Sequence, residues 1–233
     1  MRLTNGVFHR PIDKVIVNEV KATYSDVPVK GAVVLDLGAN IGASAKLMLD
    51  KGALRVIAVE PDPSNVILAK RNLGKRAALV IWAAVGPTRG RTTIHVQPRK
   101  PYLSSLIEDK GRMPVSVTMV TLGGLLEQFH PSVIKCDIEF GEYDLPELHA
   151  LPDFVRVLAM EIHVRYDLVF KHKSQTEDEL RAQRQKAADM IASIEAQGFR
   201  QIKRKDKRAK EGPITDDTGL APLLKSIDAI WTR

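Results

Sequence analysis

The sequence predicts an α/β fold with a mostly parallel central sheet, helices on both of its faces and an antiparallel last strand. Three observations carry this reading. An apolar, β-branched run, Val33–Leu37, passes through Asp36 into the glycine-rich turn Gly38-Ala39-Asn40-Ile41-Gly42, which opens a helix. A second run, Arg55–Glu60, ends on an acid and is followed at once by Pro61, Asp62 and Pro63. Strand-like and helix-like stretches then keep alternating, as crossover connections in a parallel sheet require.

Residues 1–30 read as an N-terminal cap, with a helix over 13–24 before Pro28, on a core of residues 31–233. The helix after Val33–Leu37 should stop at Gly52, a residue suited to the position beyond a helix end. The next helix is marked at both ends, with Asp62 as N-cap, Pro63 in the first turn and Gly74 as its stop. Val66, Ala69 and Leu73 give it one apolar face. Residues 79–84 form a third short run of the buried parallel type. Between 86 and 120 the pattern changes. GPTRGRTTIHVQP and PVSVTMV read as edge or excursion strands, joined by a loop that holds Tyr102, Ser104 and Ser105. A helix over Leu122–Phe129 leads into strands over 133–138 and 155–162. The polar stretch 176–197 keeps Leu180, Ala187, Met190, Ile191 and Ile194 on one stripe, which makes it an amphipathic helix ending at Gly198. Runs 199–204 and 227–231 should close the sheet as an antiparallel hairpin. There is no repeat and no low-complexity linker, so the whole chain reads as a single domain.

The bulk numbers agree. A chain of 233 residues, 44% hydrophobic and 27% charged, can bury one substantial core. No apolar run approaches the roughly 20 residues of a membrane span, and the first residues, MRLTNGVFHRPIDK, lack the apolar stretch of a signal peptide. The single cysteine, Cys136, excludes an internal disulfide and fits a cytoplasmic protein; on a mid-strand position it reads as a small core residue. Trp82 and Trp231, near strand ends, read as packing residues. The net charge of +7 suits solubility or a polyanionic partner equally.

The first turn selects a cofactor. In a dinucleotide fingerprint the middle glycine admits the pyrophosphate. Here that position is Asn40, and Asp36 stands two residues before Gly38. A carboxylate aimed into the turn repels a pyrophosphate and suits a ligand bearing an ammonium and a sulfonium, which favours S-adenosyl-L-methionine and argues against a dehydrogenase. Glu60, 22 residues beyond Gly38, is placed to accept hydrogen bonds from ribose hydroxyls. Pro61, Asp62 and the stretch Ala83, Ala84 and Val85 are placed to flank the adenine.

At this point the chain resembles the FkbM-type family of S-adenosylmethionine-dependent methyltransferases. The resemblance runs from LDLGANIG through VEPDPSN, WAAVG, TLGGLL and IKCDIEFGEYDL to MEIH, approximately residues 30–165, with SIDAIWTR as a last strand. It implies a Rossmann-like class I methyltransferase fold and methyl transfer to a hydroxyl oxygen of a sugar, glycan or secondary metabolite. It also implies that Asp36, Gly38, Asn40, Gly42 and Glu60 serve the cofactor, and that Asp137, Glu139 and Glu142 form an acidic cluster after the fourth strand. Ser104 and Ser105 resemble a serine-rich segment near the acceptor. Two departures stand out. Phe140 replaces a glycine in the Lys-x-Asp-x-Glu-Gly-x-Glu pattern, which touches the acceptor pocket, and Gly123-Gly124 replaces an acidic pair.

A hydroxyl acceptor must lose a proton as it is methylated. Asp137, Glu139 and Glu142 sit at one strand end, and Glu161 and His163 at the next. His163 is the expected general base because an imidazole titrates near neutral pH; Asp137 is the second choice and can also bind the cofactor's ammonium. No compact ligand motif assigns any residue to a metal, and one cysteine excludes a cysteine-based zinc site. Residues 200–210 hold seven basic residues and one acid, which admits a nucleic-acid methyltransferase as an alternative, although lysines also protect a sheet edge. A cofactor-binding module without catalysis is the third reading, should Phe140 block the acceptor pocket.

Overall fold

The computed structural model describes residues 1–97, 106, 112–164, 175–208 and 224–233. Its centre is a seven-stranded sheet built from β3 (Val33–Leu37), β4 (Arg55–Glu60), β5 (Ala78–Trp82), β9 (Val133–Cys136), β10 (Val157–His163), β11 (Arg200–Arg208) and β12 (Leu224–Thr232). The spatial order is β11-β12-β10-β9-β3-β4-β5. β10, β9, β3, β4 and β5 pair in parallel, while β12 runs antiparallel to both β10 and β11. The antiparallel last strand and the closing hairpin are therefore as expected.

Side chains alternate between two cores as the period of two demands. Val34, Val56, Ala58, Val133, Val157 and Ala159 pack on one face, under α1 (Lys14–Tyr24) and α2 (Ala43–Asp50). Leu35, Leu37, Ile57, Val59, Ile134, Cys136, Leu158 and Met160 pack on the other, under α4 (Leu122–Phe129) and α5 (Glu177–Ala196). Burial on both faces explains why these strands read as unbroken apolar runs. α5 starts at a capping box in which Thr176 and Glu179 bond each other's backbone N–H. α3 (Pro63–Leu73) starts on Asp62, whose carboxylate accepts from the N–H groups of Ser64 and Asn65 at 2.8 and 3.4 Å.

Four places differ from the sequence reading. The N-terminal cap contains a hairpin, β1 (Arg2–Thr4) with β2 (Val7–His9), turning at Asn5-Gly6, both at positive φ. The third run is cut at Ala83, whose N–H donates to the Glu60 carbonyl at 3.2 Å. Beyond the cut, β6 (Ala84–Val85) leaves for a second sheet with β8 (Met113–Val120) and β7 (Gly90–Val96). The fourth strand ends at Cys136 because Glu139 and Phe140 take φ of +50° and +74° and fold the chain into a 3-10 turn, Gly141–Asp144. Trp231 is fully buried as expected, whereas Trp82 is half exposed and its indole N–H donates to the Pro61 carbonyl at 2.9 Å.

Candidate active site

From β3 the chain winds outward to β4 and β5, and then returns to build β9 and β10 on the other side. The carboxyl ends of β3 and β9 therefore flank the switch point of the sheet, where open α/β folds hold their ligands. A cavity of about 280 Å³ lies there. Gly38, Ala39 and Asn40 line it together with Glu60, Pro61, Ala83, Ala84 and Val85; Asp137, Glu139, Glu161 and His163 line it as well. One cavity thus joins the two groups of residues that the sequence singled out separately.

The turn after β3 is shaped by close approach. Gly38 sits at φ +73°, and a Cβ there would run into the carbonyl oxygen of Asp137. Asn40 holds φ +50°, which asparagine tolerates better than most residues. Its side-chain oxygen accepts from the Ile41 N–H at 2.7 Å. Gly42 does not line the cavity. A Cβ on it would stand 3.1 Å from the Ala69 Cα, so this glycine lets α2 pack on α3.

Asp36 is also absent from the cavity wall. It is fully buried, accepts from Ser44 Oγ at 2.5 Å, and lies 3.2 Å from Lys135 Nζ. Asp36 and Lys135 are register partners across β3 and β9 and project to the same face. Lys135 also donates to the carbonyls of Leu37 and Gly38, at 3.1 and 2.8 Å. The expected repulsion of a pyrophosphate by Asp36 is therefore corrected: its charge is spent on a buried lysine, and it reaches the turn only through that lysine. Asp62 is likewise a helix cap and not a wall residue.

Glu60 faces the cavity while its oxygens accept from the N–H groups of Asn40 and Asp62 at 2.8 and 2.9 Å and from Asn65 Nδ2 at 3.2 Å. Burial pushes its pKa up to about 7, against these hydrogen bonds, and the nearby Asp62 adds to the rise. Ribose hydroxyls donate to a carboxylate, so a ligand bound here selects the ionised form. A ligand that donates ribose hydroxyls to Glu60 should therefore bind about tenfold more tightly at pH 8 than at pH 6. Glu60→Gln should flatten that profile, read by calorimetry across the range.

His163 is clamped from the loop after β9. Its backbone N–H and its Nδ1 both lie against Glu142 Oε1, at 2.7 and 3.0 Å, and its carbonyl accepts from Tyr143 Oη at 2.6 Å. The Phe140 ring packs on the imidazole at 5.2 Å between centroids. Phe140 and Glu142 are buried and do not line the cavity, so neither blocks it. On the cavity side, His163 Nε2 lies 3.6 Å from Glu139 Oε2, 3.7 Å from Glu161 Oε1 and 4.0 Å from Asp137 Oδ1. Burial alone would lower the imidazole pKa, but Glu142 and Glu139, with Glu161, hold it well above its ordinary value. These carboxylates favour the protonated ring, so the wall carboxylates are better placed than His163, the expected base, to take a proton. Burial raises Asp137, and it raises Glu139 to about 8. Glu161 is held down at about 2: burial opposes this, but His163 and Lys207 prevail.

Some wall residues were not foreseen. α1 contributes Glu19, Thr23 and Tyr24, the smaller sheet contributes Ile94, and Lys135 and Lys207 also reach the cavity. Lys207 Nζ bonds Glu19 at 2.7 Å and Glu161 at 2.9 Å and lies 3.1 Å from Asp228. Lys203 donates to Asp26 and to the Ala22 carbonyl, at 2.7 and 3.0 Å, and Arg204 pairs with Asp206 at 2.7 Å. Three of the seven basic residues of the run, Lys203, Arg204 and Lys207, thus have partners within the fold. Ser104 and Ser105 lie outside the described residues; Leu106 lines the cavity.

Comparison with curated proteins finds no match. Among solved structures the chain is similar to a precorrin-6y C5,15-methyltransferase from Geobacter metallireducens GS-15, at 10% identity and a TM-score of 0.46, covering 100% of this chain and 93% of the other. It is also similar to a precorrin 8w decarboxylase from Methanobacterium thermoautotrophicum, at 12% identity and a TM-score of 0.46, covering 100% of both chains. A ribosomal protein L11 methylase from Lactobacillus delbrueckii subsp. bulgaricus gives 13% identity and a TM-score of 0.46, covering 92% of this chain and 76% of the other. The model of the methyltransferase FkbM domain matches residues 36–200, from the buried Asp36 past the loop that clamps His163 to the first residue of β11. A match over most of the chain, on a sheet of this order, makes the protein a member of the FkbM methyltransferase family.

Proposed function

We propose that this protein binds S-adenosylmethionine across the Gly38–Asn40 turn and Glu60, and transfers its methyl group to a hydroxyl oxygen of a sugar, glycan or secondary metabolite. The observation that supports this reading is the single cavity that puts Glu60 and the turn on one wall and Asp137, Glu139, Glu161 and His163 on another. In the reaction the acceptor oxygen forms the new C–O bond, the C–S bond breaks, and its electron pair returns to sulfur. The hydroxyl proton leaves to a carboxylate of the wall. Asp137 and Glu139, with side chains 27% and 19% exposed, are the accessible candidates; Glu161, at 13%, is tied to Ser226 and Lys207. Alignment of acceptor and methyl supplies the rest of the rate.

The reading is tested with S-adenosylmethionine labelled in its methyl group, offered to cell extract that is then fractionated. Label should enter the small-molecule or glycan fraction as a base-stable methyl ether. Asp137→Asn or Glu139→Gln should slow that transfer by roughly 10²–10⁴-fold while S-adenosylhomocysteine binding persists. Label recovered in nucleic acid, with transfer falling steeply as salt rises, would instead support the nucleic-acid reading. That alternative loses part of its motivation because Lys203, Arg204 and Lys207 have partners within the fold.

A further inference from the structure

We propose that Asp137, Glu161 and His163 hold a hard divalent cation, of the Mg²⁺ or Mn²⁺ class, on the floor of this cavity. The inference rests on the methyl-transfer reading only for the cation's use, which is to seat an acceptor oxygen. One potential ligand atom from each of the three residues lies within 4.8 Å of the others. Atoms bound to one ion at roughly 2.1–2.4 Å stand about 3 Å apart when adjacent and up to about 4.8 Å apart when opposite. His163 Nε2 fits that spacing, at 3.7 Å from Glu161 Oε1 and 4.0 Å from Asp137 Oδ1. Both separations are too long for hydrogen bonds. So a side chain only 3% exposed aims its Nε2 into the cavity without a hydrogen bond to either carboxylate.

The second observation is the support behind each ligand. Metal-binding side chains are oriented by partners on their outer atoms. His163 Nδ1 is held by Glu142 at 3.0 Å, which leaves Nε2 to face the cavity. Asp137 Oδ2 faces Tyr24 Oη at 3.4 Å and Lys135 Nζ at 3.7 Å, leaving Oδ1 inward. Glu161 Oε2 is held by Lys207 at 2.9 Å, and Ser226 Oγ steadies Oε1 at 2.7 Å. Two carboxylates and one imidazole suit a hard cation better than a thiophilic one, and the cation takes the place of the proton on Nε2, which is released to solvent on binding. Three protein ligands leave coordination positions open towards the cavity, which suits an acceptor presenting two adjacent oxygens. Glu139, beside the three, takes the acceptor's proton when ionised.

Mn²⁺ serves as the probe on the purified full chain, followed by electron paramagnetic resonance, with S-adenosylhomocysteine binding measured on the same samples. The expected result is one Mn²⁺ per chain, with pulsed spectra showing coupling to an imidazole nitrogen. His163→Gln and Asp137→Asn should each weaken binding at least tenfold, and Glu142→Gln should weaken it about 10–100-fold through its hold on the ring. The nitrogen coupling is read on the unmutated protein, so it stands even if a variant fails to fold. Absence of stoichiometric Mn²⁺ binding, or binding without nitrogen coupling, overturns the site. If S-adenosylhomocysteine binds and Mn²⁺ does not, the metal inference fails alone. If Mn²⁺ binds with nitrogen coupling and S-adenosylhomocysteine does not, the cation site stands and the methyl-transfer reading fails.

Discussion

Gly38→Ala should abolish cofactor binding and cost the fold roughly 2–4 kcal/mol. Two penalties act at this one position. The backbone is held at φ +73°, and the new Cβ would collide with the carbonyl oxygen of Asp137. That carbonyl lies beyond the end of β9, on the acidic side of the cavity, so relief of the clash moves β3 and β9 apart. Gly31 separates the two penalties. It has the same φ of +73° but nothing within 4 Å of a Cβ, so Gly31→Ala should show the backbone cost alone, about 1 kcal/mol. Urea unfolding of the pair measures the difference. S-adenosylhomocysteine affinity should fall at least a hundredfold in Gly38→Ala and stay unchanged in Gly31→Ala.

Lys135→Met should destabilise the protein by roughly 3–5 kcal/mol, because it strands the buried Asp36 without its partner. Asp36 is fully buried and off the cavity wall, so losing the ammonium leaves its charge with only the Ser44 hydroxyl among the described residues. Burial by itself would lower the lysine's pKa, yet Asp36 and Asp137 raise it, which marks how strongly the pair is coupled. Asp36→Leu combined with Lys135→Met should recover more than half of the loss, since no unpaired carboxylate is then left at position 36. The double variant should still bind the cofactor poorly. Lys135 holds the carbonyls of Leu37 and Gly38 in place, and a methionine cannot. Urea unfolding reads the first effect and calorimetry with S-adenosylhomocysteine the second.

The sheet was legible because burial on both faces leaves a direct mark. Val33–Leu37 and Arg55–Glu60 are apolar through most of their length, and Asp62, Pro63 and Gly74 punctuate α3 by local chemistry alone. The N-terminal hairpin had its own local mark in Asn5-Gly6, a pair suited to a two-residue turn, but strands of three residues are too short to show alternation. The site was half legible. Residues at strand ends can be placed from the fold, and Gly38, Asn40, Glu60, Asp137, Glu139, Glu161 and His163 do line one cavity. What sequence position does not give is which way a charge faces. Asp36 turns to Lys135 because the two share a register, a fact of strand pairing between residues far apart in the chain. The His163 pKa is raised because four carboxyl groups, from Asp137, Glu139, Glu142 and Glu161, gather around it from two strand ends. Tyr24 and Glu19 enter from a helix with no motif. Gly123 and Gly124, which depart from the family pattern, face the movable tips of Glu147 and Arg89, and nothing in the structure explains the departure.

The bond between Lys207 and Glu19 joins positions 188 residues apart in the chain. One of its ends is in α1, ahead of the central sheet in the chain, and the other in the β11–β12 hairpin that follows all the parallel strands. Contacts of such separation form late, after the local elements have collapsed. A chain emerging from the ribosome thus carries the glycine turn, Glu60 and the His163 clamp well before it has a closed wall to hold a ligand. Ligand binding can add to stability only once β11 and β12 have docked and Lys207 has met both Glu19 and Glu161. Docking of the β11–β12 hairpin and closure of the pocket wall are, for this protein, the same event.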